Sequence, residues 1–246
     1  MSRSFSPIDQ LIEQAQTDKH YEPDVVRALL QIEVYAHVPK HDDTGRLRFI
    51  QFVTPEGRTV LPFFTDESQA QAATGDSVRI VRLNGRQLLE ATRGATLMLN
   101  PNKTPCTLYP EEIAALLDHD EVANMESEVM PERQMLVAAP DPVPTWLIEP
   151  LISLYKTLDC VVSAYVAEIR FKESPETKTL LIVVSAATID AERAARASIT
   201  TLQSLCEGRD IGVDLTVFEP GSPPAWLADS SIKSFYSKVT EGSAIH

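Results

Sequence analysis

The sequence predicts an α+β protein of two small mixed-sheet domains, with helices packed on the sheets and an acidic, proline-containing linker between them. Three observations predict it. β-branched and aromatic runs alternate with helical apolar spacing through residues 1–118. Periodicity lapses over residues 119–143, where Pro131, Pro140 and Pro142 fall, and it resumes over residues 144–246. At 246 residues the chain is long enough for each half to bury a core.

In the first half, Ser6 and Pro7 open a helix, serine as N-cap and proline in the first turn, with Ile8, Leu11, Ile12 and Ala15 on one face. A second helix is expected over 24–31 and a strand over 32–38. After a polar loop at 40–45, residues 46–53 and 60–64 form a hairpin about the turn 54–57. The stretch 56–66 anchors this half. Pro62 has no N–H to give a ladder, so one flank of its strand is expected to be an edge or a bulge. Residues 66–73 read as a helix and 77–83 as a strand. Asn84 and Gln87 have capping-box spacing, and Gly94 stops the helix they open. A strand over 96–100 and an Asn/Pro loop follow. Pro110, Glu111 and Glu112 open the last helix, with Ile113, Leu116 and Leu117 inward.

Within the joining segment, residues 134–138 are apolar enough to pair as a strand. The second half opens with a helix bearing Leu147, Leu151, Leu154, Tyr155 and Leu158, limited or kinked by Pro150. Strands over 160–171 and 180–185 flank a polar loop at 172–178 as an antiparallel hairpin. Thr188 caps a helix whose inward face is Ala191, Ala194, Ala195, Ser198, Leu202 and Leu205, small residues that let it lie close on a sheet. Gly208 ends it, a strand over 213–218 follows, and 226–239 is expected as a closing helix. The order implies a small sheet with helices on one face.

Composition excludes several classes. The net charge is −13, and residues 119–143 hold six acids and one base, more than a third of the excess. Phosphate neutralisation and docking on an anionic membrane are both disfavoured. No apolar run approaches the roughly 20 residues that span a bilayer, and the first residues lack a signal peptide's apolar core, so a cytoplasmic address is expected. Cys106, Cys160 and Cys206 have neither zinc-site nor redox-motif spacing and read as buried thiols in a reducing compartment.

Candidate chemistry is sparse. His37 and His41 precede Asp42 and Asp43, but no helix aligns them and no third histidine is near, so no metal is expected. There is no G-x-S-x-G elbow and no phosphate loop, and none of the five histidines lies within an apolar strand. No catalytic residue or cofactor is predicted, and the chain is not expected to be an enzyme. The run Asp118, Asp120, Glu121, Glu126, Glu128 and Glu132 contains no lysine or arginine. It reads either as a solvated linker or as a partner-binding face for a basic protein, where charge would raise association rate and selectivity.

Five segments carry a resemblance. The run Val60-Leu61-Pro62-Phe63-Phe64-Thr65-Asp66, with Gly94-Ala95-Thr96-Leu97-Met98-Leu99-Asn100-Pro101, resembles the N-terminal domain of the enhanced-serine-sensitivity (SseB) family. Pro144-Thr145-Trp146, Leu154-Tyr155-Lys156 and Tyr165-Val166-Ala167 are similar to that family's C-terminal domain. The resemblance implies a bacterial, cytoplasmic protein of α+β domains with no established catalytic residues. Related domains near secretion loci imply an adaptor or toxin-neutralising (immunity) role. The chain is therefore expected to be a non-catalytic interaction module, an adaptor, regulator or immunity protein holding a protein partner by its acidic surface. The alternative is an accessory of serine or sulfur metabolism that binds a small molecule. Salt separates the two, because an acidic docking face weakens as ionic strength rises.

Overall fold

The computed structural model describes residues 7–41, 47–73, 78–125, 135–228 and 230–238. The chain forms two compact units, Met1–Glu126 and Ser127–His246, each built on one mixed sheet with helices against it. The fold class is α+β.

The first unit opens with α1 (Pro7–Thr17) and α2 (Glu22–Leu29), whose Ile8, Ile12, Val25, Val26 and Leu29 face inward. Ser6 lies outside the described residues. The sheet contains β1 (Glu33–Pro39), β2 (Phe52–Val53), β3 (Thr59–Phe64), β4 (Val78–Asn84), β5 (Leu97–Leu99) and β6 (Cys106–Leu108) in the order β4-β1-β3-β5-β6, with β2 also on β3. β6 follows what the sequence offered only as a loop. Its three residues are too few for an alternation to register. The hairpin is present, with Thr54 N donating to Arg58 O at 2.8 Å, but its first strand is only the two residues of β2.

β3 is an interior strand, against the expectation of an edge or bulge. One flank runs parallel to β5; the other is shared, β2 opposite Thr59 and Val60 and β1 opposite Phe63 and Phe64. Leu61 N donates to Thr96 O on the β5 side, so alternation turns the nitrogen of Pro62 toward the shared flank. It sits where β3 changes partner, and no ladder bond is lost there. Both Phe63 and Phe64 are buried, because the sheet is covered on both faces. Phe63 joins the core under α1, α2, α4 (Gly85–Ala91) and α5 (Pro110–His119); Phe64 packs beside His37 under α3 (Glu67–Ala72), with ring centroids 5.1 Å apart.

Local signals place the helices. Asp66 caps α3, accepting from Ser68 N and Gln69 N, and the Asn84–Gln87 capping box forms. Gly85 is fixed by packing: a Cβ there would lie 1.8 Å from Leu29 O, so α4 closes on the end of α2 only through glycine.

The second unit carries β7 (Met135–Ala138), β8 (Val161–Phe171), β9 (Ser174–Ala186), β10 (Gly212–Phe218) and β11 (Tyr236–Ser237) in the order β10-β9-β8-β11, with β7 also on β8. The β8–β9 hairpin runs further than expected, Phe171 facing Ser174, so the polar residues after 174 lie in strand rather than in a loop. α6 (Thr145–Thr157) and α7 (Ala191–Cys206) cover one face through Leu147, Leu151, Tyr155, Ala194, Ala197 and Leu202. The opposite face is covered too, by α8 (Ala225–Ala228) and Ile232, over Ala167, Ile169, Leu181 and Val183. Helices on one face was therefore half of the arrangement. The closing helix expected over 226–239 is only the four residues of α8. Beyond it Ser230 Oγ donates to Leu227 O and competes with the helix, and Tyr236 joins β8 as a strand. None of the three cysteines is in a disulfide, and all are half-buried rather than buried.

Candidate interaction surface

The acidic run begins on α5. Asp118 lies in its last turn and receives a two-bond fork from Arg93, at 3.0 and 2.7 Å. The Arg93 bonds hold the Asp118 carboxyl below its usual range. Both side chains are nearly half exposed, so this is a solvated pair that fixes geometry more than it stabilises. Asp120 ends the helix in the left-handed region at φ +58°, a conformation that aspartate tolerates better than most residues. Its carboxylate lies 4.0 Å from Arg27 Nε, and Arg27 also reaches Asp24 at 3.9 Å. Glu121 is half-buried, its N–H donating to Ala115 O.

Three of the predicted partner-binding acids, Asp118, Asp120 and Glu121, thus share one helix end. Glu126, Glu128 and Glu132 lie outside the described residues, as do Asp42 and Asp43. The run does not begin as a bare linker. Val122 packs on the core of the first unit and Ala123 is fully buried, so this stretch has an inner face. Sequence reasoning missed Arg27 and Arg93, which partner these acids. They are far away in sequence, and no local pattern marks them.

The other candidates have plain positions. Against the expectation that no histidine lies within an apolar strand, His37 sits in β1 and is buried, with Nε2 2.9 Å from Ala70 O, and so ties α3 to the sheet. Among the described residues no cluster of His, Cys, Asp and Glu is arranged to hold a metal, and no helix is long and apolar enough to cross a membrane. An open depression on the first unit is lined by Gln10, Glu13, Gln14, Thr17, Asp18 and Tyr21.

The two segments that resemble the N-terminal domain meet in space. β3 and β5 lie side by side, and the residues leaving them lock together. Asn100 Oδ1 accepts from Thr65 N and Asn100 Nδ2 donates to Thr65 Oγ1, both at 3.1 Å. Asn100 is buried at φ +44°, and its N–H donates to Phe63 O. In the second unit Tyr155 shares a buried 3.0 Å hydrogen bond with Ser198, and Tyr236 donates to Tyr155 O. The resembling segments therefore carry structural contacts.

These features define a two-unit α+β chain with buried side-chain locks in each unit and a charged helix end that faces solvent. Residues 8–115, in its N-terminal unit, match the family described as SseB protein N-terminal domain. The likeness continues beyond that domain. The chain is 27% identical over 211 residues to Protein SseB of Escherichia coli (strain K12), covering 82% of this chain and 81% of the relative. It is similar to the same degree to Protein SseB of Shigella flexneri. No solved structure matches the chain.

Proposed function

We propose that the protein is a non-catalytic, cytoplasmic interaction module of SseB type. It acts as an adaptor, regulator or toxin-neutralising protein and holds a basic protein partner by the acidic surface at the end of α5. The supporting observation is that Asp118, Asp120 and Glu121 gather on one helix end, with Asp118 kept ionised by Arg93. Arg27 lies between Asp24 and Asp120 at loose distances, so an incoming lysine or arginine competes with it on equal terms. Glu126, Glu128 and Glu132 extend the same charge along the chain.

Charges at the rim of an interface act mainly on the association rate and its salt dependence. The test compares wild type with the variant Asp120→Asn, Glu121→Gln, Glu126→Gln, Glu128→Gln, against the partner recovered by affinity purification. At low salt the variant should associate more slowly; at high salt the two rates should converge, with melting temperature nearly unchanged. Equal association rates at low salt would remove the acidic run from the interface.

A further inference from the structure

β4 is the outermost strand of the first sheet. Its residues pair with β1 from Val78 opposite Pro39 to Asn84 opposite Glu33, and among the described residues no strand pairs with its other side. The register shows which backbone groups are open. Gly85 N donates to Ile32 O at 2.9 Å, so alternation points the N–H and C=O of Leu83, Val81 and Arg79 toward β1. Those of Val78, Ile80 and Arg82 point outward.

The side chains along this edge carry one sign. Residues 78–89 contain Arg79, Arg82 and Arg86 and no acid, in a chain of net charge −13. Arg79 and Arg82 are exposed on opposite faces of the sheet, the first opposite Val38 and the second opposite Tyr35. Glu33 reaches Arg82 at 3.3 Å and Glu90 reaches Arg86 at 4.0 Å; the Arg82 side chain is still 62% exposed. Such solvated pairs are weak and yield to a better-placed carboxylate. An open edge also invites pairing, and arginines on it discourage a second basic edge while favouring an acidic one.

We propose that the edge of β4 docks an extended acidic segment of a partner protein. The segment adds as a further strand on the outward groups of Val78, Ile80 and Arg82, with carboxylates set by Arg79 on one face and Arg82 on the other. Main-chain bonds supply affinity, and the arginines select the charge. This surface takes the opposite charge from the end of α5 and stands whether or not that surface binds.

The test uses the full-length, nitrogen-15-labelled protein and a short capped peptide of valine and threonine carrying two glutamates three positions apart. The same peptide with two lysines is the control. The acidic peptide should bind saturably and slow hydrogen exchange at the Val78, Ile80 and Arg82 amides. Arg79→Glu with Arg82→Glu should weaken it at least tenfold, and raised salt should weaken it several-fold. Ile80→Pro, which removes an outward N–H and no bond of the β1 ladder, should abolish the added strand. If that variant melts early, Arg82→Ala with Arg79→Ala carries the same test without touching the backbone. Equal binding of the lysine peptide, shifts confined to other elements, or indifference of the arginine variants would overturn the proposal. So would protection of the β4 amides that rises with protein concentration without peptide, which would make the occupant a second copy.

Discussion

Among the described residues each unit contains one parallel strand pair, β3–β5 in the first and β9–β10 in the second, and each ties the exits of that pair with a side chain gripping a threonine. The materials differ. In the first unit the grip is a neutral amide, Asn100 on Thr65, almost fully buried. In the second it is a carboxylate: Glu219 Oε2 accepts from Thr188 N at 2.6 Å and from Thr188 Oγ1. Both Thr188 and Glu219 are exposed. An amide can be buried because it needs hydrogen bonds and no counter-charge; an exposed carboxylate bonds strongly, but water competes for it at every moment. The first lock should therefore matter more to stability than the second, although the second has the shorter bonds.

The largest expected effect tests whether the strand beneath the buried lock is as central as it looks. Phe63→Ala and Phe64→Ala should each cost about 3–5 kcal/mol in denaturant melts, since both rings are buried on opposite faces of β3. A near-neutral result for either would leave one face of the sheet without a real core. The second test uses pH on the other unit. Burial pushes the Tyr155 phenol up to about 12, from an ordinary value of 10. The neutral form is favoured in the folded state, so this stability is full below pH 10 and is lost as pH rises toward 12. The loss is about 2–3 kcal/mol, and Tyr155→Phe should flatten that alkaline limb relative to wild type.

Next is the buried lock itself. Asn100→Ala strands the partly buried Thr65 N–H and places alanine at positive φ, for an expected cost of about 1–3 kcal/mol. Glu219→Ala should cost under about 1 kcal/mol, because water replaces the exposed carboxylate. If thermal melts put Glu219→Ala above Asn100→Ala, the contrast between the two locks fails.

Much of this was legible in the chain. The capping box at Asn84 and Gln87, the opening of α5 at Pro110 and the helical face of Tyr155 are local signals, and each appears where its chemistry put it. The turn 54–57 was readable for the same reason. What was hidden is non-local. Pro62 gives no sign in sequence that β3 changes partner beside it, and Thr188, a plausible cap, is taken by Glu219 thirty-one residues later. Periodicity carried the closing helix too far, because Phe235 and Tyr236 suit a helix face as well as a strand edge. Of the candidate surface, the sequence supplied the acids, while the arginines facing them needed the folded chain.

The outer edge of β8 is one strand made in two pieces. β7 lies along Glu168–Phe171 and β11 along Ser163–Ala164, both antiparallel to β8, and they come from positions about a hundred residues apart in the chain. During synthesis, then, β8 emerges with β7 already made and half its edge clothed, and the rest stays open until Tyr236 leaves the ribosome. Lys238 completes the closure, its N–H on Val162 O and its Nζ on Asp159 O. A nascent chain paused short of these residues would present a bare strand to its neighbours, the usual seed of misassembly. Fusions or tags that crowd residues 235–238 would prolong that exposure.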